Sequence, residues 1–159
     1  MLSALAKLPL LLHLCLIAGA AMLVPAAHAL VIEEFHVART FFYAGILVFV
    51  ITTFIGIAIS GRTKHYSQRD QLLTLVVSFV FLPVIMAVPF QEAARTIGFL
   101  SAYFEMVSSF TTTGATLFDK AGNLSPSLHL WRSIVGWMGG LLIWIVAAAT
   151  LAPMNLGGF

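Results

Sequence analysis

Charge is the scarcest feature of this sequence. Asp, Glu, Lys and Arg make up 9% of its 159 residues, against about 25% in soluble globular domains. Apolar residues reach 60% and the mean hydropathy is +1.02, so the chain reads as an integral membrane protein in a lipid bilayer. It also lacks any Lys/Arg run, although its net charge is +2 and its pI about 9.0. That excludes nucleic acid as a partner, which needs a clustered basic face. One cysteine, Cys15, excludes an internal disulfide. Inside an apolar run such a thiol reads as a small hydrophobe. Catalytic signatures are missing too: there is no H-E-x-x-H, G-x-S-x-G or S-x-x-K. The five histidines (13, 28, 36, 65, 129) lack metal-ligand spacing, and the carboxylates are too scattered for an acid/base pair. The expectation is a protein that is not an enzyme.

What the chain has is long apolar runs. The first, Leu5–Val31, carries Lys7, His13 and Pro25. It can be read as a secretory signal, with Lys7 as the charged start, Leu8–Val24 as the apolar region and Ala27-His28-Ala29 as the cleavage site. Its length, and the absence of a soluble domain after it, favour a membrane span. Phe41–Ser60 has no charge over a length of about 30 Å, the thickness of a hydrocarbon core, with Phe41, Phe42 and Tyr43 at the end where an interfacial aromatic belt is expected. Leu72–Phe90 is a third span, kinked at Pro83 and ended near Pro89 because proline breaks the helical ladder. Leu128–Leu151 is a fourth, with Gly136 and Gly140 spaced for close backbone packing and Gly139 beside them.

The polar loop Gly61–Asp70 holds Arg62, Lys64 and Arg69, which favours a cytoplasmic position for it and for the N-terminus. Counting every cation gives four inside (Lys7, Arg62, Lys64, Arg69) against four outside (Arg39, Arg95, Lys120, Arg132). Three of the outer four flank the segment between spans three and four. Setting those aside leaves the N-terminus inside and Glu33-Glu34 outside.

That intervening segment, Gly98–Thr116, is the informative one. Its apolar part, about 98–110, is too short to cross a bilayer, and the hydroxyl-rich run Thr111-Thr112-Thr113-Gly114-Ala115-Thr116 follows it. Irregular backbone at membrane depth survives only where protein buries it or where it lines a watery cavity. Free carbonyls there can replace a cation's hydration shell, and a helix ending at the cavity points its negative dipole end inward. Gly114 permits a positive φ that a β-branched residue resists. The expected fold is all-α: four transmembrane helices plus one re-entrant pore helix (98–110) and filter loop (111–116). Residues 1–69 form an N-terminal hairpin with its cytoplasmic loop, and 70–159 one span–pore–span repeat. Glu105, in the short helix, is too costly to leave unpaired in a membrane. Arg132 is its expected partner, bracing the pore helix against the fourth span, with direct ion ligation by Glu105 as the alternative.

Taken together, Tyr103-Phe104-Glu105, Ser109 to Thr116, Trp131-Arg132 and Trp137-Met138-Gly139-Gly140 resemble the first repeat of the Trk/Ktr/HKT potassium transporters, nearest to the bacterial TrkH/TrkG-like subunits. The extra hairpin and Met22-Leu23-Val24-Pro25 fit the same family, over nearly the whole chain. The resemblance implies that K+ is the transported ion, held by main-chain carbonyls of Thr112, Thr113 and Gly114, with Thr111 and Ala115 flanking. It further implies a place in the bacterial inner membrane, a homo-oligomer and a nucleotide-binding cytoplasmic regulatory subunit. The family often continues G-G-x-G-I where this chain has Gly139-Gly140-Leu141-Leu142-Ile143. Its pore also needs four filter loops where this chain has one, so the remaining repeats are expected on a longer polypeptide, or else on further copies. The reading from a different class is a small four-span accessory or structural protein that conducts nothing.

Overall fold

The computed structural model describes residues 10–59, 68–120, 122 and 124–151. Every regular element among them is a helix: α1 (Leu10–Ala21), α2 (Leu23–Val31), α3 (Phe35–Ile59), α4 (Gln68–Ala94), α5 (Phe99–Phe110) and α6 (Pro126–Leu151). Four segments are long and apolar enough to cross a membrane: Leu10–Val31, Phe35–Ile59, Leu73–Ala94 and Pro126–Ala148. Lys7, Arg62, Lys64 and the tail from Ala152 to Phe159 lie outside the described residues, as do the side chain of Arg69 and most of the polar loop. The charges on which the inside/outside assignment rests are therefore largely beyond the structural description.

The first span is two helices in series, interrupted at Met22. Pro25 has no N–H to offer the Ala21 carbonyl, and the chain turns at that point. The ladder nevertheless carries across: Met22 N donates to Ala18 O at 3.1 Å, and Ala26 N to Met22 O at 3.3 Å. The triplet Ala27-His28-Ala29 lies within α2, and His28 Nδ1 sits 3.0 Å from Ser127 Oγ at the start of α6. Ala29 is fully buried.

Two expectations about helix ends give way. Phe41 does not sit in an aromatic belt, because α3 begins six residues earlier, at Phe35. That places Phe41 in the core, edge-on to Trp131 with ring centroids 5.3 Å apart and an interplanar angle of 65°. And α4 does not stop near Pro89 but runs through both prolines to Ala94. Side chains from other helices supply donors to the turns the prolines disrupt. The Tyr103 hydroxyl donates to Val80 O at 3.2 Å, and Trp131 Nε1 to Met86 O at 3.3 Å. Each carbonyl lies three residues before a proline. They adjoin the Phe79 and Ile85 carbonyls, four residues before each proline, from which the missing N–H withholds a donor.

The core runs through the middle of the bundle. Met22, Phe41, Met86, Phe90, Met106, Phe110 and Trp131 are all at most 1% exposed. Helix α6 approaches the C-terminal end of α5 through its glycines, and the closest is Gly139. A Cβ built there would overlap the Phe110 carbonyl and come within 2.6 Å of its carbon. Gly136 is looser, at 3.4 Å from Ser109 O, and Gly140 only touches the Thr112 methyl at 3.7 Å. The tight point is thus Gly139, and not the G-x-x-x-G pair beside it.

The contact yields an ordered prediction. Gly139→Ala forces backbone apart and is expected to cost about 1–3 kcal/mol or more, read as a lowered melting temperature of the purified protein. Gly140→Ala should leave the melting temperature within about a degree or two of the parent, since a cost under ~0.5 kcal/mol shifts it little.

Candidate functional site

The candidate site is the end of α5 and the loop that follows. Twelve residues give α5 a length of about 18 Å, short of the ~30 Å hydrocarbon core. Gly98, extended at φ −75 and ψ 164, starts it, and Ala102, Glu105, Met106, Ser108 and Phe110 turn into the protein. Its end is closed by a tight set of bonds. Thr111 N donates to Val107 O (2.8 Å) and Thr112 N to Ser109 O (3.0 Å), while Ser108 O accepts from both Thr113 N (2.9 Å) and Gly114 N (3.3 Å).

Backbone geometry at this end is unusual. Thr112 has φ 56 and Gly114 φ 77. The left-handed conformation after a helix is the usual place for glycine, and a β-branched residue there is a real outlier. Such strain persists only where the surroundings over-determine it. Here Thr111 Oγ1 donates to Val107 O at 2.8 Å, which leaves the Thr113 hydroxyl to donate to Thr111 Oγ1 at 2.8 Å. The two flanking threonines thus clamp Thr112 between them.

Beyond Gly114 the chain runs back along α5, held from below. Ser108 Oγ donates to the Ala115 carbonyl at 2.6 Å. Glu105 Oε1 accepts from the Thr116 hydroxyl at 2.9 Å and from the Leu117 backbone N–H at 2.5 Å. The other oxygen, Oε2, lies 3.0 Å from Arg132 Nη2. Glu105 is fully buried and Arg132 19% exposed on its side chain. Oε2 makes no directed hydrogen bond and Arg132 Nε has no acceptor, so the contact is one of charge held by packing. Among the described residues, no donor reaches the carbonyls of Thr112, Thr113 or Gly114. The Ala115 carbonyl, by contrast, is occupied.

The structure thus gathers Thr111, Thr112, Thr113, Gly114 and Ala115 at the end of one short helix with a buried face, with Glu105 and Arg132 side by side beneath the returning arm. Sequence reasoning missed Ser108, whose hydroxyl and carbonyl both hold the loop. Its only signal was its place three residues before the threonines. Thr116, placed in the filter run, proves to be a donor to Glu105. A groove of about 400 Å³ bordered by Ser109, Thr112, Gly114 and Arg132 opens beside the loop. Among the described residues, no cluster of three or more His, Cys, Asp or Glu could hold a metal ion.

Comparison with known proteins points one way. The family model described as TrkH, cation transport protein, matches residues 37–157. The Trk system potassium uptake protein TrkG of Escherichia coli K12 is 31% identical over 122 residues, covering 71% of this chain and 25% of the relative. TrkI of Halomonas elongata is 37% identical over 81 residues (51% and 15%), and TrkH of Vibrio parahaemolyticus 33% over 99 (61% and 20%). The chain spans about a quarter or less of the length of these curated relatives. No solved structure matches.

The two-sided role of Glu105 sets the mutational expectation. An exchange of charges, Glu105→Arg with Arg132→Glu, should not rescue folding, because an arginine has no acceptor for the Thr116 hydroxyl and the Leu117 N–H. Arg132→Gln alone strands a buried carboxylate, at a cost of about 3–5 kcal/mol. Adding Glu105→Gln, which keeps an acceptor oxygen, should recover part of that loss. A double-mutant cycle on thermal stability measures the coupling, and strict additivity of the two changes would refute it.

Proposed function

Because this chain belongs to the TrkH family of cation transport proteins, we propose that it forms one wall of a potassium-uptake pore in the bacterial inner membrane. In this reading α5 is a re-entrant pore helix and residues 111–116 are the filter. The carbonyls of Thr112, Thr113 and Gly114 face potassium, while Thr111 and Ala115 hold the filter's two ends. Residues 1–69 are an N-terminal hairpin, with the N-terminus on the cytoplasmic side, and 70–159 a span–pore–span repeat. The observation that carries it is the row of three carbonyls without donors among the described residues, at the end of a short helix with one buried face, whose dipole favours a cation there.

One loop supplies one side of a ring. The chain spans about a quarter of the length of its TrkG relative, and the ring is completed in this reading by further repeats of the same kind, or otherwise by further copies. Glu105 lies behind the filter as a strut: Oε1 is engaged by the returning arm and Oε2 faces Arg132, which argues against its serving as an ion ligand. A cytoplasmic nucleotide-binding regulatory subunit and homo-oligomeric assembly belong to the same proposal.

Rescue of growth at micromolar potassium, in a host without its own uptake systems, tests it. The chain is expressed alone and in place of the matching stretch of the E. coli TrkG relative, each with and without Gly114→Ser. No side chain would clash at Gly114, so the substitution acts through φ 77 at a cost of about 1–2 kcal/mol. That lowers the population of the native loop by roughly 5–30-fold. The expected result is growth from the chimera, with Gly114→Ser reducing the preference for potassium over sodium. No growth from the chimera, with the protein present in the membrane, would instead mark a four-span protein that does not conduct, and growth with equal selectivity in parent and variant would take Gly114 out of the filter.

A further inference from the structure

Two grooves, the first apolar and the second mixed, flank one exposed ridge of α3. The first, about 490 Å³, lies between α2 and α3 and is floored by Leu23, Ala26, Ala27 and Leu30. The second, about 470 Å³, lies between α3 and α4 and is floored by Thr40, Ala44, Val88 and Pro89. Arg39 and Tyr43 belong to both. They are four residues apart and stand one above the other on the same helix face. Since α3 starts at Phe35, Arg39 lies one turn nearer the helix end than Tyr43. Each groove therefore has a cation at its rim and an apolar floor running toward the middle of the span.

The charges at that rim select what fits. Arg95 is engaged by the His36 ring, at 2.8 and 2.9 Å, and that ring also meets Glu92 O at 3.0 Å. Among the described residues the only hydrogen bond of Arg39 is from Nε to Phe35 O, at 3.3 Å, leaving the outer edge of the guanidinium for a ligand. A planar guanidinium is suited to phosphate. Glu92 borders the second groove and favours a head group that also carries an ammonium. Two channels that share one cation match an amphiphile with two chains and one phosphate. We propose that this ridge is a binding site for a diacyl phospholipid of the leaflet faced by the Ile32–Glu34 turn. Its phosphate rests on Arg39, and its two acyl chains straddle Tyr43, one in each groove.

Native mass spectrometry of the purified protein, with dioleoyl phosphatidylethanolamine as the probe, tests this. One lipid should stay bound to the unaltered protein. Diacylglycerol, without phosphate, should be retained about tenfold less, as loss of a charge-assisted contact implies, and lysophosphatidylethanolamine, with one chain, should also be retained less because it leaves one groove unfilled. Arg39→Gln should lower occupancy about tenfold, and Arg39→Lys should keep most of it. Ala27→Trp and Ala44→Trp, each filling one groove, should each displace the lipid. Retention of diacylglycerol or the single-chain lipid equal to that of the phospholipid would overturn the proposal without recourse to any variant. So would the absence of a bound lipid, or an unchanged adduct in Arg39→Gln.

Discussion

The loop at the candidate site depends on one buried carboxylate. Glu105 receives the returning arm on one oxygen, through Thr116 and Leu117, and faces Arg132 with the other. A charge with no exposure is expensive unless it is paired and hydrogen-bonded, and here it is supplied from two sides. The consequence is mechanical. The short helix, the loop and the last long helix are connected through a single side chain, so none of the three can shift without disturbing the others. Ser108 repeats the arrangement one turn further along, taking two backbone donors on its carbonyl and giving its hydroxyl to Ala115.

This arrangement explains how a strained backbone is kept. A left-handed Thr112 would relax in a free peptide. Between the Thr111 and Thr113 hydroxyls, with α6 pressed on Phe110 through Gly139, it has nowhere to go. The three carbonyls without donors lie in the part of the loop that is bent most sharply and braced most heavily. Rigidity there keeps three exposed residues, whose carbonyls have no protein donor among the described residues, in one fixed arrangement.

Four long helices were legible in the sequence, because hydropathy over twenty residues is a strong signal and the few charges fall between the runs. Finer features were not. Proline carries a general rule for ending helices, yet α4 runs through Pro83 and Pro89, where Tyr103 and Trp131 bond to the same turns from elsewhere in the chain. From sequence Phe41 opens the unbroken apolar run and reads as interfacial, but α3 begins earlier, with His36 and Arg39 tolerated in its first turns. The G-x-x-x-G spacing drew notice to Gly136 and Gly140, whereas the close approach falls on Gly139, since the motif does not fix which face meets a helix end. Scarcity of charge narrows the choice of partner for Glu105. That its second oxygen would hold the loop follows from three-dimensional return of the chain, which no spacing encodes.

The capped carbonyls of α4 also bear on how the protein is made. Until Tyr103 and Trp131 are in place, the Val80 and Met86 carbonyls lack those side-chain donors, beside the Phe79 and Ile85 carbonyls from which the prolines withhold an N–H. Both donors are encoded after α4, and so leave the ribosome after it. The third span therefore acquires its cross-helix bonds only once α5 and α6 have joined it, and the later helices complete the packing of an earlier one.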